Sequence, residues 1–298
     1  MSKFIKGCII AGVACIFIGG GITAVSASLG GSFYDVLPKE VARWKEELSH
    51  VTLNELWSKN MFLYDYDPGD FSDQGEQVFA ASGIKELSGF ITAGKVVIRE
   101  DDLPGEEITV FCNKDGSFYN IEEDDGELKL YSYPGDTESD TDLLLTIHVP
   151  KDYRFSSVDI RLKRSKKLAG RQDSDVILVA DALLADEMKL EAKAGLIKIN
   201  RGNTGELNAE AEAGAVEFSG AASGDITAKC QAGAIELQID GKKEDYDYEV
   251  RCKLGAIEVG DEDIAVFGNG KKIDNGSGKT MDLDCEVGAI EVGFIHQE

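Results

Sequence analysis

The C-terminal half of the chain alternates apolar and polar residues with a period of two, in segments that closely repeat one another. KLEAKAGLIKI, NAEAEAGAVEF, TAKCQAGAIEL, EVRCKLGAIEV and LDCEVGAIEV align on Gly195, Gly214, Gly233, Gly255 and Gly288, at spacings of 19, 19, 22 and 33 residues. Seven, five, three and one positions before each glycine the residue is apolar or small, as in Met188, Leu190, Ala192 and Ala194, or Tyr248, Val250, Cys252 and Leu254. In an extended chain such residues share one face, which the pattern turns inward. Beyond the glycine the parity flips: Ile197 and Ile199, Val216 and Phe218, Ile235 and Leu237, Ile257 and Val259, and Ile290 and Val292 stand two and four positions after it. A corner at the glycine explains the flip, because glycine accepts backbone angles that other residues resist. Each copy is then a longer strand, a corner and a shorter strand.

A unit this thin cannot bury its apolar face alone, so copies must stack and pair their backbones with those above and below. The pattern predicts an all-β chain, a β-solenoid of stacked rungs. Regular repeats fill 186–294, and irregular strands fill 80–185, among them ITAGKVVI (91–98), EITVFC (107–112), ELKLYSY (127–133) and LLLTIHVP (143–150). Glycine-bearing segments such as 202–205 and 220–224 return the chain to the next rung, and 261–279, with two Asn-Gly steps, reads as a protruding loop.

The other end of the chain is organised differently. Residues 7–34 carry no charge, long enough for one transmembrane helix of about 20 residues. Lys3 and Lys6 precede the run while Asp35 and Glu40 follow it, which places 1–6 in the cytoplasm and the rest outside the membrane. A second reading, a cleaved signal peptide, has Val25-Ser26-Ala27 as its cleavage site. Residues 35–79 form a juxtamembrane helix and linker. From Pro38 to Trp57, Val41, Trp44, Leu48 and Val51 share one helical face, which suits either the membrane interface or the first rung of the 80–298 domain.

Charge narrows the partners. The chain of 298 residues has a net charge of −24, and the part beyond the apolar run, without Lys3 and Lys6, has −26. A nucleic acid is a poor partner for such a surface, and divalent cations or basic groups are better ones.

Few residues suggest chemistry. Three positions after the glycines stand Lys198, Glu217, Glu236, Glu258 and Glu291. Their outward direction makes a ladder of four carboxylates one strand spacing apart, the candidate cation site, with calcium the cofactor it would take. Neighbouring unit charges at this spacing repel by only about 1 kcal/mol in water, so a cation is permitted but not required. Cys230, Cys252 and Cys285 occupy the inward column of Ala192 and Ala211 and read as buried thiols. His50, His148 and His296 are scattered, and DNGSGKT (274–280) lacks the first glycine and the strand-to-helix setting of a phosphate-binding loop.

An N-terminal apolar run, irregular strands ending in the L-x-x-x-h-x-V-P stretch Leu144 to Pro150, and closing A-x-x-G-A-I-E-V copies together resemble the bacterial putative-adhesin family over about residues 80–294. The resemblance implies a β-helix-like domain on a membrane-anchored cell-envelope protein and carries over no catalytic residues. The expected function is non-enzymatic: a single-span membrane protein presenting an acidic, repetitive extracytoplasmic surface to an envelope or cell-surface partner, as adhesin, scaffold or sensing component. The competing expectation is a carbohydrate-active enzyme with outward carboxylates such as Glu236 and Glu258, a reaction that needs two carboxyl groups about 5 to 9.5 Å apart.

Overall fold

The computed structural model describes residues 68–71, 75–101, 105–135, 143–165, 176–260, 262–266 and 270–295. The expected membrane span at 7–34, the helix at 38–57, His50 and His296 lie outside these residues. No helix among the described residues is long and apolar enough to cross a membrane.

The described chain is all-β, and its strands join one hydrogen-bonded network. Its first part contains β1 (Glu76–Ser82), β2 (Glu86–Ile91), β3 (Lys95–Asp101), β4 (Glu107–Cys112), β5 (Tyr119–Asp124), β6 (Glu127–Ser132), β7 (Leu144–Pro150), β8 (Arg154–Leu162) and β9 (Ile177–Ala180). The repeats then form β10 (Leu183–Ala192), β11 (Leu196–Ala211), β12 (Ala215–Ala222), β13 (Ile226–Cys230), β14 (Ala234–Asp240) and β15 (Asp247–Val259). The last part holds β16 (Glu262–Val266), β17 (Gly270–Ile273) and β18 (Thr280–Ile295).

Two parallel ladders run side by side, one on each side of the glycine corners. Strands before the corners pair in the order β6, β2, β8, β10, β11, β13, β18, β15. Strands after them pair in the order β7, β3, β9, β11, β12, β14, β18, β15. The two inner faces share one core, in which every residue two and four positions after an aligned glycine is buried, and so are Leu190, Ala209, Ala228, Val250 and Leu283 on the other side. Each large aliphatic side chain buried in this way stabilises the fold by about 1.5 to 3 kcal/mol.

Further copies precede the five. Gly94 obeys the same rule: Leu87, Gly89, Ile91 and Ala93 stand before it, and Val96 and Ile98 are buried after it. ITAGKVVI is therefore not one strand. It ends β2, turns at Gly94 and begins β3. Here Ser132 supplies the polar partners of the corner: its Oγ donates to the Ala93 carbonyl at 2.6 Å and accepts from the Thr92 and Ala93 N–H groups.

The corner glycines are required for two different reasons. Gly195 and Gly288 have φ of +128° and +136°, where a side chain is strained. Gly214 and Gly233 do not have a left-handed backbone; a Cβ on Gly214 would lie 2.6 Å from the Gly195 carbonyl oxygen, and one on Gly233 would strike that of Gly214. At these two positions the demand comes from the backbone stacked alongside and not from the bend.

The stacking order departs from chain order at both ends. The last copy, β18, sits between the β13/β14 copy and β15, and the first, β2/β3, sits between β6/β7 and β8/β9. The C-terminal exchange also changes which outer-face charges are neighbours. On the outer face it places Lys229, Asp284 and Arg251 side by side in alternating sign, where chain order would set Lys229 against Arg251. Like charges directly opposite one another destabilise a strand pair, and opposite ones favour it.

Antiparallel strands close the two ends. β5 pairs with β6 through Asp125 and Gly126, both at positive φ as a two-residue hairpin requires, while β4 pairs with β7 and β1 with β4. At the other end β16 and β17 both pair with β15, so much of the segment expected to protrude as a loop lies along the terminal copy. These strands cover edges that would otherwise offer free backbone groups. They leave a gap at the last corner, so Leu254, expected inward, is 53% exposed.

The hydrogen bonding also closes where an open coil was expected. The pairings β11–β12, β12–β14, β14–β18, β18–β13 and β13–β11 complete a ring of five strands. The cause is continuity: β11 and β18 each run from one ladder into the other, so both ladders meet in the same strand.

Candidate functional site

The side chains with functional potential lie on the outer faces of the ladders, because the parity that turns aliphatic residues inward turns their neighbours out. On the second ladder the in-register column reads Lys198, Glu217, Glu236, Glu291 and Glu258. The four expected carboxylates do stand in one column at strand spacing, about 4.8 Å. Their order is not that of the chain, because β18 is inserted before β15.

The column is not a bare acidic strip. Lys198 Nζ lies 3.8 Å from Glu217 Oε2, and Gln238 Nε2 donates to Glu236 Oε1 at 3.4 Å. Glu291, flanked by glutamates on both sides, is only 9% exposed. Among the described residues no three His, Cys, Asp or Glu side chains are grouped to hold a metal ion. Parallel strands in register keep these carboxylates side by side instead of converging them on one point.

The first ladder carries a second set of charges, at positions two and four before the glycines. Arg161, Glu191, Glu210, Lys229, Asp284 and Arg251 form one row across β8, β10, β11, β13, β18 and β15. Lys193 Nζ bridges Glu191 at 2.9 Å and Glu212 at 2.5 Å, and these two carboxylates raise its pKa above the ordinary lysine value, Glu212 more than Glu191. Arg251 reaches Asp284 at 3.2 Å, Asp282 at 2.5 Å and Glu249 at 2.8 Å. The repeats contain the signal for these rows, in Lys193, Glu212, Lys253 and Glu286 at one equivalent position, but a reading confined to the position after the corner passes over it. Such exposed pairs contribute little each, in the range of about 0 to 1 kcal/mol.

Cys230, Cys285 and Cys252 are adjacent in one inward column, at most 4% exposed, and all are free thiols. The neighbouring Cys230 thiol and burial push the Cys285 pKa up, which keeps it protonated and unreactive. Burial likewise raises the pKa of Cys112 on β4. His148, on β7, meets the Asp101 carboxylate through Nδ1 and packs edge-on against Phe111, with ring centroids 5.1 Å apart. In the DNGSGKT segment, Asp247 accepts the Asn275 N–H at 2.6 Å and the Ser277 N–H at 3.3 Å, so the segment is a loop tied to β15 and not a phosphate cradle.

Compared with known proteins, the chain matches no family model and no curated protein. It is similar in structure to a putative cell adhesion protein from Clostridium sporogenes, with 11% identity, a TM-score of 0.36, and 74% of this chain and 100% of that one covered. A putative adhesin from Bacteroides fragilis gives 10% identity and a TM-score of 0.41, over 74% of this chain and 98% of its own. Another from Parabacteroides distasonis gives 12% and 0.29, over 75% and 98%.

Proposed function

We propose that this chain is an envelope protein of the putative-adhesin kind, a β-solenoid held outside the cytoplasm by the apolar run at 7–34, that works by binding and not by catalysis. The observation that carries the proposal is the in-register repetition of one residue type, Glu217, Glu236, Glu291 and Glu258, across four adjacent strands, with Glu217, Glu236 and Glu258 partly exposed along the column. A column of identical groups at strand spacing offers a polymeric or repetitive partner several weak contacts at once, and such contacts multiply when they engage together. The sign of the column, on a chain of net charge −24, selects basic groups on the partner and speeds encounter with them. The parallel, glycine-cornered ladders support the solenoid reading, with the five-strand ring as its local consequence where one strand serves both ladders.

The test uses the full-length protein in its own membrane. Crosslinking in intact cells recovers an envelope or cell-surface partner; capture weakens at high ionic strength and is lost when Glu217, Glu236, Glu258 and Glu291 are all replaced by Gln. If no partner is recovered, or if the fourfold variant captures it as well as the parent protein does, the proposal is wrong.

A further inference from the structure

On the first ladder the charged rows stop at β8, and the next two strands carry aromatic rings in their place. Phe90 on β2 stands in register between Arg161 on β8 and Tyr131 on β6. Tyr133, two residues beyond Tyr131, lies diagonal to Phe90, within reach of a large side chain. Large hydrophobic side chains prefer burial, yet Phe90 is 39% and Tyr133 41% exposed. The other large exposed hydrophobics among the described residues, Leu254 and Ile295, belong to the opposite end of the stack.

Phe90 and Tyr131 border a depression of about 300 Å³, at the small end of ligand pockets. Its polar lining is already organised. Ser88 Oγ donates to Glu127 Oε1 at 2.6 Å and holds the Glu127 carboxyl below its ordinary pKa, and Lys129 Nζ lies 3.1 Å from Glu127 Oε2. Arg161 grips Asp159 with two bonds, of 3.0 and 2.6 Å. The charged lining groups, Glu127, Asp159, Lys129 and Arg161, therefore cancel, on a protein whose net charge is −24.

From this arrangement we infer a carbohydrate-binding site at the depression, one that takes a neutral pyranose-containing oligosaccharide. A sugar ring presents an apolar face of C–H groups, which suits an exposed aromatic ring, and a rim of hydroxyls, which needs both donors and acceptors. The depression supplies both around Phe90: guanidinium and ammonium donors on Arg161 and Lys129, and carboxylate acceptors on Glu127 and Asp159. A cation would meet Arg161 and Lys129, and an anion would meet Glu127 and Asp159. An extended peptide has no strand edge to join, because β2 is paired on both sides, with β6 and with β8. The site is on the other ladder from the acidic column and does not rest on that column's function.

The full-length protein is titrated with chitotetraose and cellotetraose, with dextran sulfate and polylysine as charged controls, and binding is followed by calorimetry and saturation-transfer NMR. At least one neutral oligosaccharide binds, and its affinity is little changed by high ionic strength. Phe90→Ala and Tyr131→Ala each weaken it by about tenfold or more, equivalent to about 1.4 kcal/mol. Phe90→Trp retains it, and because Phe90 is partly exposed these variants keep the parent melting temperature, so loss of fold is distinguished from loss of site. Absence of binding by both neutral probes, preference for a charged probe, or unchanged affinity in Phe90→Ala would overturn the inference. None of these results bears on the Gln variants of the acidic column, which leave oligosaccharide binding intact.

Discussion

Gly202 offers a quantitative test of how tightly the core is packed where β11 crosses from one ladder to the other. A Cβ on Gly202 would fall within the ring of Phe218, and the β11–β12 register shifts between Ile199 and Gly202. Gly202 does not have a positive φ, so Gly202→Ala adds a methyl group without backbone strain. Such overpacking costs about 1 to 3 kcal/mol, while the less flexible unfolded chain returns about 0.4 to 1. The net destabilisation is about 0 to 2.6 kcal/mol, and with about 2 to 4 °C per kcal/mol for a domain of this size, the melting temperature falls by up to about 10 °C. Phe218→Leu removes the obstacle. Leu237 already occupies the equivalent position on β14, so the backbone accepts leucine there at a cost of about 1 kcal/mol. In that background Gly202→Ala becomes neutral or slightly stabilising, which gives a coupling of about 1 to 3 kcal/mol in a double-mutant cycle measured by urea denaturation. Equal destabilisation by Gly202→Ala with Phe and with Leu at 218 would show that contact with the ring is not the reason for the glycine.

Two further outcomes follow from the charges and thiols. The Ser88 hydroxyl lowers the Glu127 pKa in the folded state, so the stability linked to this bond is present above the unfolded carboxylate value of about 4.3 and is lost as pH falls through the folded one. The parent protein should therefore melt higher than Ser88→Ala at neutral pH, and the gap should narrow as the pH is lowered through the acid range; a gap that widens in acid would reverse the assignment. Cys112, Cys230, Cys252 and Cys285 are buried, so a water-soluble thiol reagent should leave them unlabelled in the native protein and label all four in denaturant, as peptide mapping would report. Rapid native labelling of Cys252 would mean that the terminal copy is open.

Much of this structure was legible in the chain because side-chain direction in a strand depends only on parity. The alternation in the five copies assigns Leu190, Ala209 and Ile290 to the core and Glu217, Glu236, Glu258 and Glu291 to the outside without reference to any neighbour; the structure buries the first three and aligns the four glutamates in one column, where Glu217, Glu236 and Glu258 are partly exposed and Glu291, between two of them, is buried. The copy at Gly94 was equally legible but lay hidden in an apparent single strand. Tertiary structure alone decided which copy lies beside which. The backbone edge of β13 can accept EVRCKLGAIEV or LDCEVGAIEV, whose inward residues are nearly interchangeable, so periodicity does not choose between them; only the folded chain sets Lys229 in register with Asp284. The exposure of Leu254, the closure through β11 and β18, and the gathering of Phe90 and Tyr131 from strands about 40 residues apart all follow from that long-range choice. Periodicity determines which way a residue points; only the assembled ladders determine what it meets.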